Sequence, residues 1–256
     1  MRLDLYMVQN SLARSREQAK ELIAAGKVTV DGKVCGKPSF PVENHHVSVS
    51  EEESFVGRGA KKLLKAFSEF GIDVTDRICI DAGASTGGFT EIMLRNGASK
   101  VYAVDVGSDQ LAQSLRDDKR VVNMEKTDIR TAELEEAAHF FTADVSFISL
   151  TQILYHLSRL SAPEAEGVCL VKPQFEAGRE FVGKKGVVKD KKAHIKVLCD
   201  IAEYAKGIGF SLKGLTHSPI AGQNGNIEYL LYLGKSGEGK DFDFEKIVKQ
   251  AREELL

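Results

Sequence analysis

The sequence predicts an α/β chain: a mainly parallel seven-stranded sheet covered by helices on both faces, preceded by a small α+β unit. Three observations point there. From residue 58 onward, short apolar runs of strand length alternate with segments of helical periodicity, the pattern of strands joined by crossover helices. Residues 1–50 lack that alternation and read as two short helices followed by three short strands. Between the two lies Glu51-Glu52-Glu53-Ser54, a polar break. The expected division is a small unit at 1–50, a linker at 51–57, the large unit at 58–236, and a connector with a terminal helix at 237–256.

In the small unit, helices are expected at residues 3–9 and 16–25. The second has Ala19, Leu22 and Ile23 at helical spacing, Ser15 as its cap and Gly26 as its stop. Residues 27–34 read as a hairpin around Asp31-Gly32, a dipeptide that tolerates the positive φ of a two-residue turn. Alternation at 46–50 gives a last short strand. The large unit opens with an amphipathic helix at 58–70 carrying Leu63, Leu64 and Phe67 on one side. Strands are expected at 77–81, 100–105, 121–124, 143–147, 168–172, 211–216 and 227–233, with helices at 89–94, 108–115, 150–160 and 189–208. Only a loop at 218–226, rich in Gly and Asn, joins the last two strands, so they are expected to pair antiparallel. Residues 242–256 form a terminal helix.

With 256 residues, 43% of them hydrophobic and 28% charged, the chain can bury a full core. No run approaches the roughly 18 apolar residues of a membrane span. The N-terminus lacks the apolar stretch of a secretory signal, so a cytoplasmic protein with no membrane partner is expected. Cys35, Cys79, Cys169 and Cys199 lie far apart with no Cys-x-x-Cys pair and read as reduced thiols. The six histidines are scattered without ligand spacing, and no metal is expected. Residues 1–49 hold seven Lys and Arg against five Asp and Glu, a net +2 that leaves −4 for the remainder. That imbalance does not by itself indicate nucleic acid.

The first motif that carries chemistry is Ile80-Asp81-Ala82-Gly83-Ala84-Ser85-Thr86-Gly87-Gly88-Phe89-Thr90, a strand end, a glycine loop and a helix start. Such a loop lets a ligand approach bare backbone at a helix N-terminus. Ser85 breaks the Gly-x-Gly-x-x-Gly spacing, and no Gly-Lys-Ser/Thr follows, which lowers nicotinamide and ATP readings. Asp105, ending the next strand, is placed to bind ribose hydroxyls, and Asp128 to reach an adenine amino group. The candidate cofactor contacts are Asp81, Gly83, Ala84, Ser85, Thr86, Gly87, Gly88 and Phe89, then Asp105 with Val106 and Asp128 with Ile129.

These residues resemble the S-adenosylmethionine loop of Rossmann-like methyltransferases. Asp144-Val145-Ser146-Phe147-Ile148-Ser149-Leu150, Val171-Lys172-Pro173-Gln174-Phe175-Glu176 and Gly225-Asn226-Ile227-Glu228 further resemble the TlyA family of ribosomal RNA 2′-O-methyltransferases, often labelled haemolysins. Leu12-Ala13-Arg14-Ser15-Arg16-Glu17-Gln18-Ala19, Gly26-Lys27-Val28-Thr29-Val30-Asp31-Gly32 and Lys37-Pro38-Ser39 resemble the small RNA-binding S4-like fold. The resemblance spans residues 2 to about 234. It implies S-adenosylmethionine as cofactor, ribosomal RNA or ribosomal subunits as partner, and a cytidine ribose of large-subunit RNA (in some members also small-subunit RNA) as target.

The resemblance also implies a catalytic Lys-Asp-Lys-Glu set, which by matching motifs falls on Lys62, Asp144, Lys172 and Glu228. In-line methyl transfer needs the ribose hydroxyl about 3 Å from the methyl carbon. Lys172 is expected to orient that hydroxyl and stabilise the forming alkoxide, since nearby Asp144 and Glu228 favour a charged lysine. Arg2, Arg14, Arg16, Lys20, Lys27, Lys33 and Lys37 are the candidate RNA contacts of the small unit. Two other classes compete: a non-catalytic RNA-binding assembly factor, and a membrane-active haemolysin.

Overall fold

The structure, a computed structural model, describes residues 1–13, 15–24, 26–49 and 55–255. It divides into two compact units, Met1–Ser54 and Phe55–Leu256.

In the first unit, helices α1 (Leu3–Gln9) and α2 (Arg16–Ala24) pack together, and β1 (Val28–Val30) is flanked by β2 (Lys33–Val34) and β3 (Val47–Val49), both antiparallel to it. Leu3, Met7, Ala19, Ile23 and Val28 form its core. The Ser15 hydroxyl accepts the Gln18 N–H at 3.2 Å and caps α2. Asp31 (φ 51°) and Gly32 (φ 76°) form the hairpin turn that the dipeptide suggests.

The second unit begins with α3 (Ala60–Phe70), β4 (Ile78–Ala82), α4 (Gly88–Arg95), β5 (Lys100–Asp105), α5 (Gln113–Arg116), β6 (Val121–Glu125) and β7 (Ala138–Ala143). It continues through α6 (Thr151–Leu160), β8 (Ser161–Val171), α7 (Pro173–Glu176), α8 (Lys191–Gly207), β9 (Ser211–His217), β10 (Tyr229–Gly234) and α9 (Phe244–Leu255). The strands lie in the order β6-β5-β4-β7-β8-β10-β9. The first five run parallel, and β10 is antiparallel to both its neighbours. Chain order reverses between β4 and β7, the switch point where open α/β sheets hold ligands. Because β10 runs backwards, its start meets the carboxyl end of β8, with Tyr229 opposite Val171. Lys172 and Glu228, each one residue beyond that pair, therefore arrive at one edge.

Each sheet face is buried. Ile80 and Ala82 pack with α6 and α8, whereas Cys79 on the same strand packs with α3 and α4. On β7, Phe140 and Phe141 point to opposite faces and are both fully buried, each contributing roughly 1.5–3 kcal/mol relative to exposure.

Three expected elements differ. The strand expected at 168–172 is the end of β8, which begins seven residues earlier, at Ser161. The strand expected at 143–147 is instead β7, and residues 144–147 form a loop in which Phe147 takes φ 65° and is 85% exposed. A strand buried on both faces reads as a continuous apolar run, and the alternation in Asp144-Val145-Ser146-Phe147 imitated a half-exposed one. The helix expected at 108–115 shrinks to α5, because Asp109 sits at φ 57° and the Glu125 carboxylate accepts the Gln110 and Leu111 N–H groups at 2.7 and 3.1 Å. Those bonds hold Glu125 at a pKa of about 2, with Leu111 the largest contributor.

Candidate active site

Two cavities open at the switch-point edge, of about 410 and 520 Å³, and they share Gly83, Ser85, Asp144 and Ser146. The first holds the charged quartet. Lys172 Nζ lies 2.6 Å from Asp144 Oδ1 and donates to the Ser146 hydroxyl at 3.0 Å. Asp144 Oδ2 accepts from Lys62 Nζ at 3.2 Å, and the same Nζ donates to Glu228 Oε2 at 2.8 Å. Glu228 Oε1 accepts from Gln174 Nε2 at 3.4 Å. The result is a chain of alternating charge, Lys172–Asp144–Lys62–Glu228, with no net charge.

Alternation is what makes the burial tolerable. Lys62, Lys172 and Glu228 are each less than 10% exposed, and an unpaired ion at that depth costs several kcal/mol. Burial opposes ionisation of Asp144, yet Lys172 and then Lys62 outweigh it and hold the carboxyl below the ordinary aspartate range. Burial likewise disfavours the Lys62 ammonium, but Asp144 and Glu228 outweigh it and raise its pKa. The sequence places both carboxylates around Lys172; the structure pairs Glu228 with Lys62 instead. Lys172 is thus the end of the chain, with Asp144 and Ser146 taking two of its three ammonium directions.

The second cavity is built from backbone and apolar walls. Gly83 (φ 81°) has to be glycine, since a Cβ there would stand 2.8 Å from the Asp144 carbonyl oxygen. Asp105 fastens the loop: its carboxylate accepts the Ser85 N–H at 2.8 Å and the Gly107 N–H at 2.7 Å. Val106 and Ile129 line the wall, Val106 74% exposed and Ile129 buried. Asp128 also lines it, with its carboxylate gripped by Arg130 at 2.6 Å and held below the usual range. A glycine cradle, an acidic group at the end of β5 and apolar walls fit a nucleoside joined to an amino acid, the chemistry of S-adenosylmethionine.

The other sequence candidates fall on either side of that boundary. Ala84, Thr86, Gly88 and Phe89 line the quartet cavity. Asp81 and Gly87 line neither. Asp81 is fully buried and accepts from Thr90 N at 2.8 Å, Thr90 Oγ1 at 2.7 Å and Thr142 Oγ1 at 3.0 Å. It ties β4 to the start of α4, and desolvation raises its pKa to about 6 despite those donors. A Cβ on Gly87 would collide with Leu115 at 2.2 Å. Ser146, Gln174 and Glu176 were not singled out from the sequence, though all lie in the quoted motifs. Glu176 accepts from Ser149 Oγ at 2.6 Å and Leu150 N at 2.7 Å, joining the loops that carry Asp144 and Lys172.

In the first unit, Arg2 and Arg16 both bind Asp4, at 3.0 and 2.9 Å. Arg2 chiefly drives the pKa of that buried carboxyl down to about 2. Lys20, Lys33 and Lys37 are exposed, Lys27 is half-buried, and Arg14 lies outside the described residues.

Residues 55–235 match the model of the FtsJ-like methyltransferase family, and residues 1–47 match the S4 domain. The 16S/23S rRNA (cytidine-2′-O)-methyltransferase TlyA of Mycobacterium tuberculosis is 45% identical over 238 residues, 91% of this chain and 89% of that protein. The chain belongs to the TlyA family of FtsJ-like methyltransferases. The 23S rRNA (cytidine-2′-O)-methyltransferase TlyA of Campylobacter jejuni is 38% identical, covering 92% of this chain and all of that one. A solved structure named as a hemolysin, from Streptococcus thermophilus, is 43% identical with a TM-score of 0.77, over 99% of this chain and 96% of that one. A methyltransferase needs room for a methyl donor and for an acceptor, and the two cavities here meet at Asp144.

Proposed function

We propose that this chain transfers a methyl group from S-adenosylmethionine to the ribose 2′-hydroxyl of a cytidine in ribosomal RNA, in the large subunit first. The observation that carries the reading is the alternating chain Lys172–Asp144–Lys62–Glu228, set where the two cavities meet. The relatives named for cytidine-2′-O methylation supply the base and the position.

When bound in the second cavity, S-adenosylmethionine supplies an electrophilic methyl on a sulfonium. Lys62, between two carboxylates, stays cationic and fixes both. Asp144, held ionised, aims Lys172 into the first cavity. The remaining direction of the Lys172 ammonium is then available to the ribose oxygen. There it holds the oxygen in line as the bond to the methyl group forms, and offsets negative charge on that oxygen as the hydroxyl proton passes to solvent water late in the transfer. Phe147 and Phe175, with ring centroids 5.1 Å apart at the two rims, suit stacking against a base swung out of its helix. The small unit, through Arg2, Arg14, Arg16, Lys20, Lys27, Lys33 and Lys37, adds RNA affinity. A substrate of this kind, together with four unpaired cysteines, supports a cytoplasmic site of action.

The test is transfer of labelled methyl from S-adenosylmethionine to separated ribosomal RNAs and subunits from unmodified cells. Label in a ribose 2′-oxygen of large-subunit cytidine is the expected result. Tight cofactor and RNA binding with no incorporation into any of them would make the chain a non-catalytic RNA-binding factor. Among the described residues no helix is long and apolar enough to cross a membrane, so nothing in the helices favours lytic activity.

A further inference from the structure

The large unit, residues 55–256, carries a net charge of −1, yet the ten residues Gly183-Lys184-Lys185-Gly186-Val187-Val188-Lys189-Asp190-Lys191-Lys192 hold five lysines against one aspartate. All five lysines are exposed, and among the described residues no ion pair joins any of them to a carboxylate. We propose that this loop is a second RNA-docking surface, at which Lys184, Lys185 and Lys189 bind the phosphodiester backbone flanking the methylated nucleotide. The inference rests on the chain being an RNA methyltransferase and adds where the RNA is gripped outside the first unit.

The loop is built to hold its charges still. Val182 and Val188 pair as an antiparallel bridge, the Gly183 N–H donates to the Val187 carbonyl at 3.0 Å, and the Gly186 N–H donates to the Gly183 carbonyl at 2.8 Å. Lys184 and Lys185 therefore sit at the two central positions of a β-turn closed by Gly186 at φ 74°. A buried side chain braces that turn. Asn226 donates to the Gly186 carbonyl at 2.9 Å and accepts the Val188 N–H at 3.2 Å, while Asn224 donates to the Lys185 carbonyl at 3.1 Å. His194 of α8 adds a bond to the Val188 carbonyl at 2.9 Å, and Arg252 of α9 donates to the Lys189 carbonyl at 2.9 Å.

Asn226 lies two residues before Glu228, and Gly222, on the same loop, lines the quartet cavity. One segment thus fixes both the cationic turn and the acceptor wall. Between them the turn borders a groove of about 990 Å³ lined by Lys184, Lys185, Lys189, Arg252 and Phe181, with Glu180 and Asp190 also present. Asp190 is occupied as the cap of α8, accepting the Lys192 N–H at 2.8 Å. A pre-ordered row of hydrated ammonium groups beside a ribose-binding cavity matches a polyanion whose charges recur along its backbone. A lysine that contacts a phosphate releases a condensed counterion and steepens the salt dependence of binding by about one unit.

The test measures binding of purified ribosomal RNA across a potassium chloride series by the whole chain and by two triple variants. The first is Lys184→Gln, Lys185→Gln and Lys189→Gln; the second changes the same three positions to Arg. The Gln variant should bind about tenfold more weakly near physiological salt, with a log–log slope shallower by about two to three. Its turnover at saturating RNA and its affinity for S-adenosylhomocysteine should stay at the wild-type level. The Arg variant should keep the wild-type slope. An unchanged slope in the Gln variant overturns the proposal even if the wild-type chain methylates RNA. A wild-type chain that binds RNA but transfers no methyl overturns the enzymatic reading, and the slope still decides the lysines.

Discussion

The two cavities that meet at Asp144 are made of opposite materials. The quartet cavity is a string of buried charges whose members are useful only in company. The other is a backbone cradle with apolar walls, fastened by Asp105 and Asp81 from behind. Removing one member of the first leaves an uncompensated ion, whereas altering one polar wall of the second loses a hydrogen bond. Catalysis and cofactor affinity should accordingly respond to different residues, except where the two cavities share an atom.

Gly83, one of the four shared residues, gives the largest expected effect. In Gly83→Ala the new methyl group meets the Asp144 carbonyl at 2.8 Å on a residue held at φ 81°, so the cradle and the quartet are both displaced. Overpacking and left-handed strain together amount to roughly 3 kcal/mol, and cofactor affinity should fall about 100-fold with turnover lost. Calorimetric titration with S-adenosylhomocysteine checks the first and methyl transfer the second; a variant losing only one would break the picture of a shared wall.

Lys62→Met tests the quartet alone. It strands Asp144 and Glu228 without their common cation, and removing one partner of a buried network costs about 3–5 kcal/mol. Denaturant unfolding at pH 7 should show that loss together with loss of turnover. Cofactor affinity should remain within a few-fold, because Lys62 does not line the second cavity.

Asp81 sharpens the contrast, since it supports the cradle without touching either cavity. Its folded pKa, near 6, lies above its unfolded value of about 4. The native state therefore holds the proton more tightly, and this group favours folding at low pH and loses that contribution as pH rises through 6. Relative to Asp81→Asn, the wild-type chain should gain about 2 kcal/mol of unfolding free energy as pH falls from 7 to 4. A difference independent of pH would mean that the three donors to Asp81, not its burial, govern its protonation.

The juxtaposition of the proposed catalytic residues was partly legible because they flank strands. Asp144, Lys172 and Glu228 each adjoin an apolar run, and antiparallel pairing of the last strands follows from the short loop between them. The pairing of charges was not legible. Which carboxylate meets which lysine depends on how far α3 reaches across the edge, and no spacing in the sequence encodes that. That Arg2 and Arg16 share Asp4 as a partner was not legible either, because Asp4 is one residue among many until burial singles it out. The lysine turn escaped notice for the opposite reason: summing charge over the large unit hid a cluster that carboxylates scattered along the chain cancel on paper but not in space.

The most direct test of the division between cavities compares Lys172→Met with Asp105→Asn in one assay, reading the single-turnover methyl-transfer rate and the cofactor dissociation constant for each. Lys172→Met should lower the rate by about 10²–10⁴-fold with cofactor binding unchanged. Asp105→Asn should weaken cofactor binding about tenfold and leave the rate at saturating cofactor near that of the wild type. If Lys172→Met transfers methyl at the wild-type rate, or if both variants lose binding and rate together, the assignment of catalysis to the buried charge chain is wrong.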